Sequence, residues 1–272
     1  MIIFASEGAT IRGNVLSELT KVSNQKWNIA DCGGGLGGSY FKEVLTAVID
    51  LGDMKNSDGK KVKLYKGDIN IDTVWKEIPD KHFDFIICTH TLEDIRDPLF
   101  VIKQLGRVAK AGLICVPTRH TELSPIQSKF YNGYSHHRWI FTFNKNTLIG
   151  IFKWANFDLR LNLIDSLLIK LYRLVAGLHP NRFKGAIYKK PVVNREFYNK
   201  KLVAHGVGEK VWEMETSILW IDDIQFEYFD NDGPALAPNS TELLARQNAF
   251  LNLGFDKSPY NLELALKKIF RY

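Results

Sequence analysis

Two stretches of the 272-residue chain hold residues whose types and spacing suit chemistry. The first is Asp31-Cys32-Gly33-Gly34-Gly35-Leu36-Gly37-Gly38, which follows a β-rich run. Five glycines in six residues let a backbone turn sharply and approach a ligand with no Cβ in between. Gly33, Gly35 and Gly38 fit G-x-G-x-x-G, the pattern that lays a pyrophosphate on the amides of a tight turn. Asp31, Gly33, Gly35 and Gly37 fit D-x-G-x-G-x-G instead. A carboxylate two residues before the turn repels a phosphate and attracts a cation, so Asp31 favours a positively charged ligand.

The second stretch, residues 118–143, carries Arg119, His120, His136, His137 and Arg138 among aromatics that include Tyr134 and Trp139. Aromatic faces beside hydrogen-bonding groups suit a polar ring such as a sugar or a phenol. A packed lid, its histidines serving backbone carbonyls, is the competing reading. Histidine is the side chain best placed to take a hydroxyl proton near neutral pH, which makes His90, His136 and His137 the candidate bases. Glu93 and Asp94 are carboxylate alternatives, unless they pair with Arg96. No compact His/Cys/Asp spacing suits an ion, and no metal is predicted.

The elements that must position these groups are legible as apolar runs. Residues 27–30, 47–49, 62–65, 83–88 and 113–116 read as strands, alternating with helical stretches in the manner of a parallel sheet. Residues 85–88 and 113–116 are continuously apolar, as expected of strands covered on both faces. Asp97-Pro98 opens a helix, with Asp97 capping and Pro98 at the first position, and Gly112 is read as its stop. Residues 89–97 therefore form a loop at a strand's carboxyl end, where open α/β sheets bind ligands. Later come an amphipathic helix at 163–178, two antiparallel strands at 211–220 and 225–229, and helices from Thr241 and over 262–270.

In order along the chain, the Asp31–Gly38 loop, Asp50 nineteen residues after Asp31, Gly67-Asp68, the 83–94 strand and loop, Asp97-Pro98 and the strand ending at Pro117 resemble the class I S-adenosylmethionine-dependent methyltransferases, especially their type 11-like branch. The donor carries a sulfonium and an ammonium and no phosphate, in keeping with Asp31. The resemblance implies a Rossmann-like α/β fold: a mostly parallel seven-stranded sheet flanked by helices, with a C-terminal α+β appendage. It implies a donor core over residues 1–165, and an appendage over 166–272 that completes the sheet and shapes the acceptor site. It implies S-adenosylmethionine as cofactor, contacted by Asp31, Gly33, Gly35, Gly37, Asp50 at the ribose, Asp68 at the adenine, Ile69, Thr89 and His90. Arg119, His120, Tyr134, Arg138 and Trp139 are the expected acceptor contacts. Two departures stand out. Asp94 follows Leu92-Glu93 where the family usually has histidine, and residues 51–61 are too polar and glycine-broken for a crossover helix, which leaves Asp53 as an alternative to Asp50.

The expected reaction is O-methylation of a small-molecule or saccharide hydroxyl. No Asp/Asn-Pro-Pro-aromatic or Pro-Cys motif is present, so nucleic acid is an unfavoured acceptor. The rivals are a non-catalytic protein of the same fold and a nicotinamide-dependent oxidoreductase. Net charge is +6, yet residues 170–210 hold ten Lys/Arg against Glu196 and Glu209, so basicity is confined to one segment. That segment reads as packing on the core or in a homodimer, as peripheral membrane contact through residues 163–201, or as a nucleic-acid surface. Three widely spaced cysteines, no apolar run of membrane-spanning length and no leader-like N-terminus point to a cytoplasmic protein.

Overall fold

Strands that are apolar without alternation need cover on both faces, and in the computed structural model they receive it. The structure describes residues 1–8, 10–23, 25–34, 40–53, 62–122, 133–153, 215–229, 240–256 and 258–270. Seven strands form the main sheet: β1 (Ile2–Glu7), β2 (Ile29–Cys32), β3 (Ala47–Asp50), β4 (Lys63–Lys66), β5 (Phe83–Thr89), β6 (Ala109–Pro117) and β9 (Glu215–Ile221). Their order is β1-β9-β6-β5-β2-β3-β4. Only β9 runs against its neighbours, pairing antiparallel with both β1 and β6. The five strands expected from the sequence are β2 to β6. The mostly parallel seven-stranded sheet with flanking helices is the fold that the resemblance implies.

One face is covered by α1 (Arg12–Ser23) and α6 (Leu262–Ile269), whose Val15, Leu19 and Ala265 pack with Val48, Phe85 and Leu113. The other is covered by α2 (Asp72–Lys76) and α3 (Pro98–Val108), through Trp75, Val101 and Leu105 against Ala30, Ile86 and Ile114. Asp97 caps α3 as expected: its Oδ1 accepts from Phe100 N at 3.0 Å. Strand β6 leads into the single turn α4 (Arg119–Glu122), and α5 (Ser240–Asn252) precedes α6. Among the described residues no helix is long and apolar enough to cross a membrane.

A second, three-stranded sheet of β7 (Trp139–Asn144), β8 (Thr147–Phe152) and β10 (Phe226–Tyr228), in the order β10-β8-β7, packs onto the α3 side. β7 and β8 are a hairpin closed by Lys145-Asn146, both in the left-handed region (φ 49° and 61°), the backbone that a two-residue hairpin turn demands.

Two expectations are corrected here. β9 and β10 are not an antiparallel pair: β9 enters the main sheet, while β10 pairs parallel with β8. Six of the seven β9 residues are buried, which fits only a sheet interior, and the Asp222-Asp223 turn carries the chain across to the second sheet. Residues 211–214 of that expected strand lie outside the described residues. Gly112 does not stop α3, which ends at Val108 and passes directly into β6. Lys81 Nζ caps the helix end instead, donating to Gly106 O at 2.8 Å and Ala109 O at 3.1 Å. Gly112 lies in β6, where a Cβ would sit 2.4 Å from Ile86 O and 2.6 Å from the Trp220 ring. The expected helix at 163–178 and the basic segment at 170–210 lie outside the described residues.

Candidate functional site

The main sheet changes direction between β2 and β5: β3 and β4 lie to one side, β6 and β9 to the other. Ligands of open α/β sheets bind at the carboxyl ends flanking such a point, and the loops singled out in the sequence converge there. Asp31, the penultimate residue of β2, is fully buried, and its Oδ1 accepts from Gly34 N at 2.9 Å. Gly33 has φ +84°, and a Cβ on it would lie 2.3 Å from the Thr91 side chain of the loop after β5. Only glycine meets both demands. Gly35 and Gly37, with Gly38 and Ser39, lie outside the described residues.

Asp50 stands at the tip of β3, its Oδ1 accepting from Gly52 N at 2.7 Å. Asp53, the alternative, is exposed and engages Lys66 Nζ at 2.5 Å. Asp68 follows β4, where hydrogen bonds from the backbone and then the side chain of Asn70 hold its carboxyl below the usual range. Asn70 Oδ1 in turn accepts from Arg96 N at 2.9 Å and so ties this loop to the one after β5. Ile69 is buried and Thr89 half-buried at the end of β5. The expected donor contacts that the structure describes therefore lie at the carboxyl ends of β2 to β5.

His90 lies just beyond Thr89 in a left-handed conformation (φ 51°), rare for a side-chain-bearing residue. Its Nε2 is 3.4 Å from Glu215 Oε2 and its Nδ1 is 3.3 Å from Glu93 Oε1. The two carboxylates, Glu215 foremost, raise its pKa to about 9. The two carboxylates thus favour the protonated ring, which weakens the case for His90 as the base. Burial pushes the fully buried Glu93 up. Burial also opposes ionisation of Glu215, but His90, Thr10 and Arg12 outweigh it and leave that carboxyl lowered. Arg12 reaches Glu215 Oε2 at 3.0 Å.

The acceptor-side expectations divide. Arg119 is buried, with Nε 3.1 Å from Glu7 Oε1 and NH1 donating to Gly254 O at 3.1 Å. Trp139 is buried within β7, where its indole N–H donates to Ile95 O at 3.0 Å and its ring stacks on Tyr228. Both are buried and bonded within the protein, which favours support of the surrounding loops over direct acceptor contact. Tyr134, His136, His137 and Arg138 lie together in the segment before β7, docked on the loop after β5 by Arg138 N donating to Glu93 O at 2.6 Å. His120 falls on α4, and its side chain lies outside what the structure describes.

Sequence reasoning missed four charged groups here. Glu215 and Arg12 complete the His90 cluster, while Glu122 and Lys153 form a buried ion pair at 2.6 Å behind His137. An acid opening a strand that ends in the apolar run Ile218–Ile221 was a readable signal for Glu215; the other three carry none, because their partners are distant in the chain.

A family model described as a methyltransferase domain matches residues 14–162. Comparison with curated proteins finds no match. Among solved structures the chain is similar to an S-adenosylmethionine-dependent methyltransferase of Thermotoga maritima, at 22% identity over 40% of this chain and 54% of that one, with a TM-score of 0.30. It is similar to the YcgJ protein of Bacillus subtilis at 16% identity over 41% and 58%, with a TM-score of 0.30. A third is an S-adenosylmethionine-dependent methyltransferase of Archaeoglobus fulgidus, at 17% identity over 50% and 74%, with a TM-score of 0.32. The chain spans little more than half the length of the first two.

Proposed function

The chain belongs to the methyltransferase-domain family, whose cofactor is S-adenosylmethionine, and on that premise we propose that it transfers the donor's methyl group to a hydroxyl of a small molecule or saccharide. The observation that carries the reading is the meeting of the Gly33 turn with Thr91 at the sheet's switch point, beside Asp31, Asp50 and Asp68.

In this reading residues 1–165 hold the donor, and residues 166–272 complete the sheet and shape the acceptor side. Asp31 and the glycine turn, with Gly35 and Gly37, receive the cationic amino-acid end of the donor. Asp50 takes the ribose hydroxyls. Asp68 and Ile69 border the adenine, and Thr89 and His90 line the approach to the sulfonium. The sulfonium already activates the methyl group, so the protein's task is to align an oxygen in line with it and exclude water. Tyr134, Arg138 and His120 are the acceptor contacts of this reading, with Arg119 and Trp139 supporting the loops around them. With His90 held as a cation, the hydroxyl proton goes to His136 or His137.

The test is methyl transfer from labelled S-adenosylmethionine to a panel of sugars and phenols, read as an alkali-stable methyl ether. Transfer reduced about 100-fold by His136→Ala and His137→Ala together supports the reading. Donor binding with no transfer to any acceptor would favour the non-catalytic rival.

A further inference from the structure

No compact ligand spacing is visible along the chain, but folding brings Asp94, from the loop after β5, together with His136 and His137, from the segment before β7. One carboxylate oxygen and one nitrogen of each ring all lie within 4.8 Å of one another. Asp94 and His136 are exposed, and His137 is half-buried beneath them.

What lies behind His137 sets this cluster apart from a chance grouping. Its Nδ1 is 2.7 Å from Oε1 of the fully buried Glu122. A carboxylate oxygen accepts, so Nδ1 donates to Glu122, and Nε2 is the ring nitrogen on the side of Asp94, whose Oδ1 is 3.8 Å away. Lys153 Nζ holds the other oxygen of Glu122 at 2.6 Å and donates to Tyr134 O at 2.9 Å, which fixes the carboxylate in place. The space around that pair is filled: a Cβ on Gly133, at φ +61°, would lie 2.4 Å from Glu122 Oε2 and 2.6 Å from Lys153 Nζ. A buried carboxylate orienting one imidazole nitrogen so that the other faces a ligand set is the arrangement that supports metal-bound histidines.

We infer that Asp94, His136 and His137 bind a divalent first-row transition ion, with Glu122 as the group that orients His137. Two imidazoles and one carboxylate select an ion of the zinc or cobalt kind over magnesium or calcium, which take oxygen ligands. Tetrahedral zinc needs ligand atoms about 3.3 Å apart at bond lengths of about 2.0–2.1 Å. The exposed Asp94 and His136 reach that by side-chain rotation. Three protein ligands leave a position open to water or to an acceptor oxygen. A bound ion would take the two histidines as ligands in place of the base role proposed above, and would acidify an acceptor hydroxyl at its open position.

Binding is measured without S-adenosylmethionine, so this inference stands or falls apart from methyl transfer. The full chain, stripped with a chelator, is titrated with Co²⁺ while the visible d–d absorption is followed, and with Zn²⁺ by calorimetry. The expected result is one saturable ion per chain, with affinity falling as the pH is lowered because protons compete for the imidazoles. Asp94→Asn and His136→Ala, both surface changes, each weaken binding about tenfold or more. Glu122→Gln weakens it about 10–100-fold. His82→Gln, on another loop, leaves it unchanged. Absence of saturable binding, or binding indifferent to both Asp94→Asn and His136→Ala, overturns the inference.

Discussion

His90 is a positively charged histidine wedged between two acids, and its protonation is linked to folding. Its pKa is about 9 in the folded protein against 6.5 for an unperturbed histidine. Between those values the folded state keeps a proton that the unfolded state has released. The stabilisation is therefore complete below about pH 6.5 and is lost as the pH rises through about 9. The ring is 44% exposed, so water screens part of the effect. Thermal unfolding from pH 6 to 10 should show wild type losing more stability across this window than His90→Gln; parallel curves would contradict the assignment. The same carboxylates favour the protonated ring of a histidine that looks like a base in the sequence. Glu215 arrives from β9, more than a hundred residues away, and its effect on His90 is invisible until the sheet is assembled.

At the scale of elements, Asp97 joins two parts of the molecule. Its Oδ1 caps α3 and also accepts from the Tyr228 hydroxyl of β10 at 2.9 Å. Asp97→Ala removes both bonds and should cost about 1–2 kcal/mol, read as a fall in the urea midpoint at unchanged slope. Asp97→Asn, which keeps a cap, should recover most of it. An unchanged midpoint for Asp97→Ala would mean that the cap carries no stability. The cap itself was legible in Asp97-Pro98, as were β2 to β6, because continuous apolar runs bounded by polar turns have few alternatives. The β7–β8 hairpin was not read, although its signal is present: residues 139–144 and 147–152 are β-rich runs separated by the two residues Lys145-Asn146. Their aromatics were assigned to an acceptor loop, whereas Trp139, Phe141 and Phe143 are core. The expected donor contacts that the structure describes could be placed from the sequence because each lies at or just beyond the carboxyl end of a strand. The Glu122–Lys153 pair was not, since nothing local marks two charges that meet only in the folded chain.

For the whole molecule, the position of β9 makes the two halves of the sequence one folding unit. β9 lies between β6 and β1, with Ile218, Leu219 and Trp220 fully buried. A chain ended at residue 165 would retain the family-matched region yet leave β1 without its neighbour and β6 with an open edge. It should give no cooperative urea transition. A transition with the midpoint of the full chain would show that residues 1–165 fold alone. The division proposed at residue 165 therefore does not separate two folding units, because the sheet needs strands from both sides of it.

A donor site at the switch point of this sheet is tested most directly by calorimetric titration. S-adenosylmethionine, S-adenosylhomocysteine and NAD(H) are titrated into the wild type and Asp50→Ala. The account predicts binding of the first two, weakened about tenfold or more by the substitution as the ribose hydroxyls lose their acceptor, and no binding of NAD(H). Binding of NAD(H) alone, or donor binding indifferent to Asp50→Ala, would contradict it.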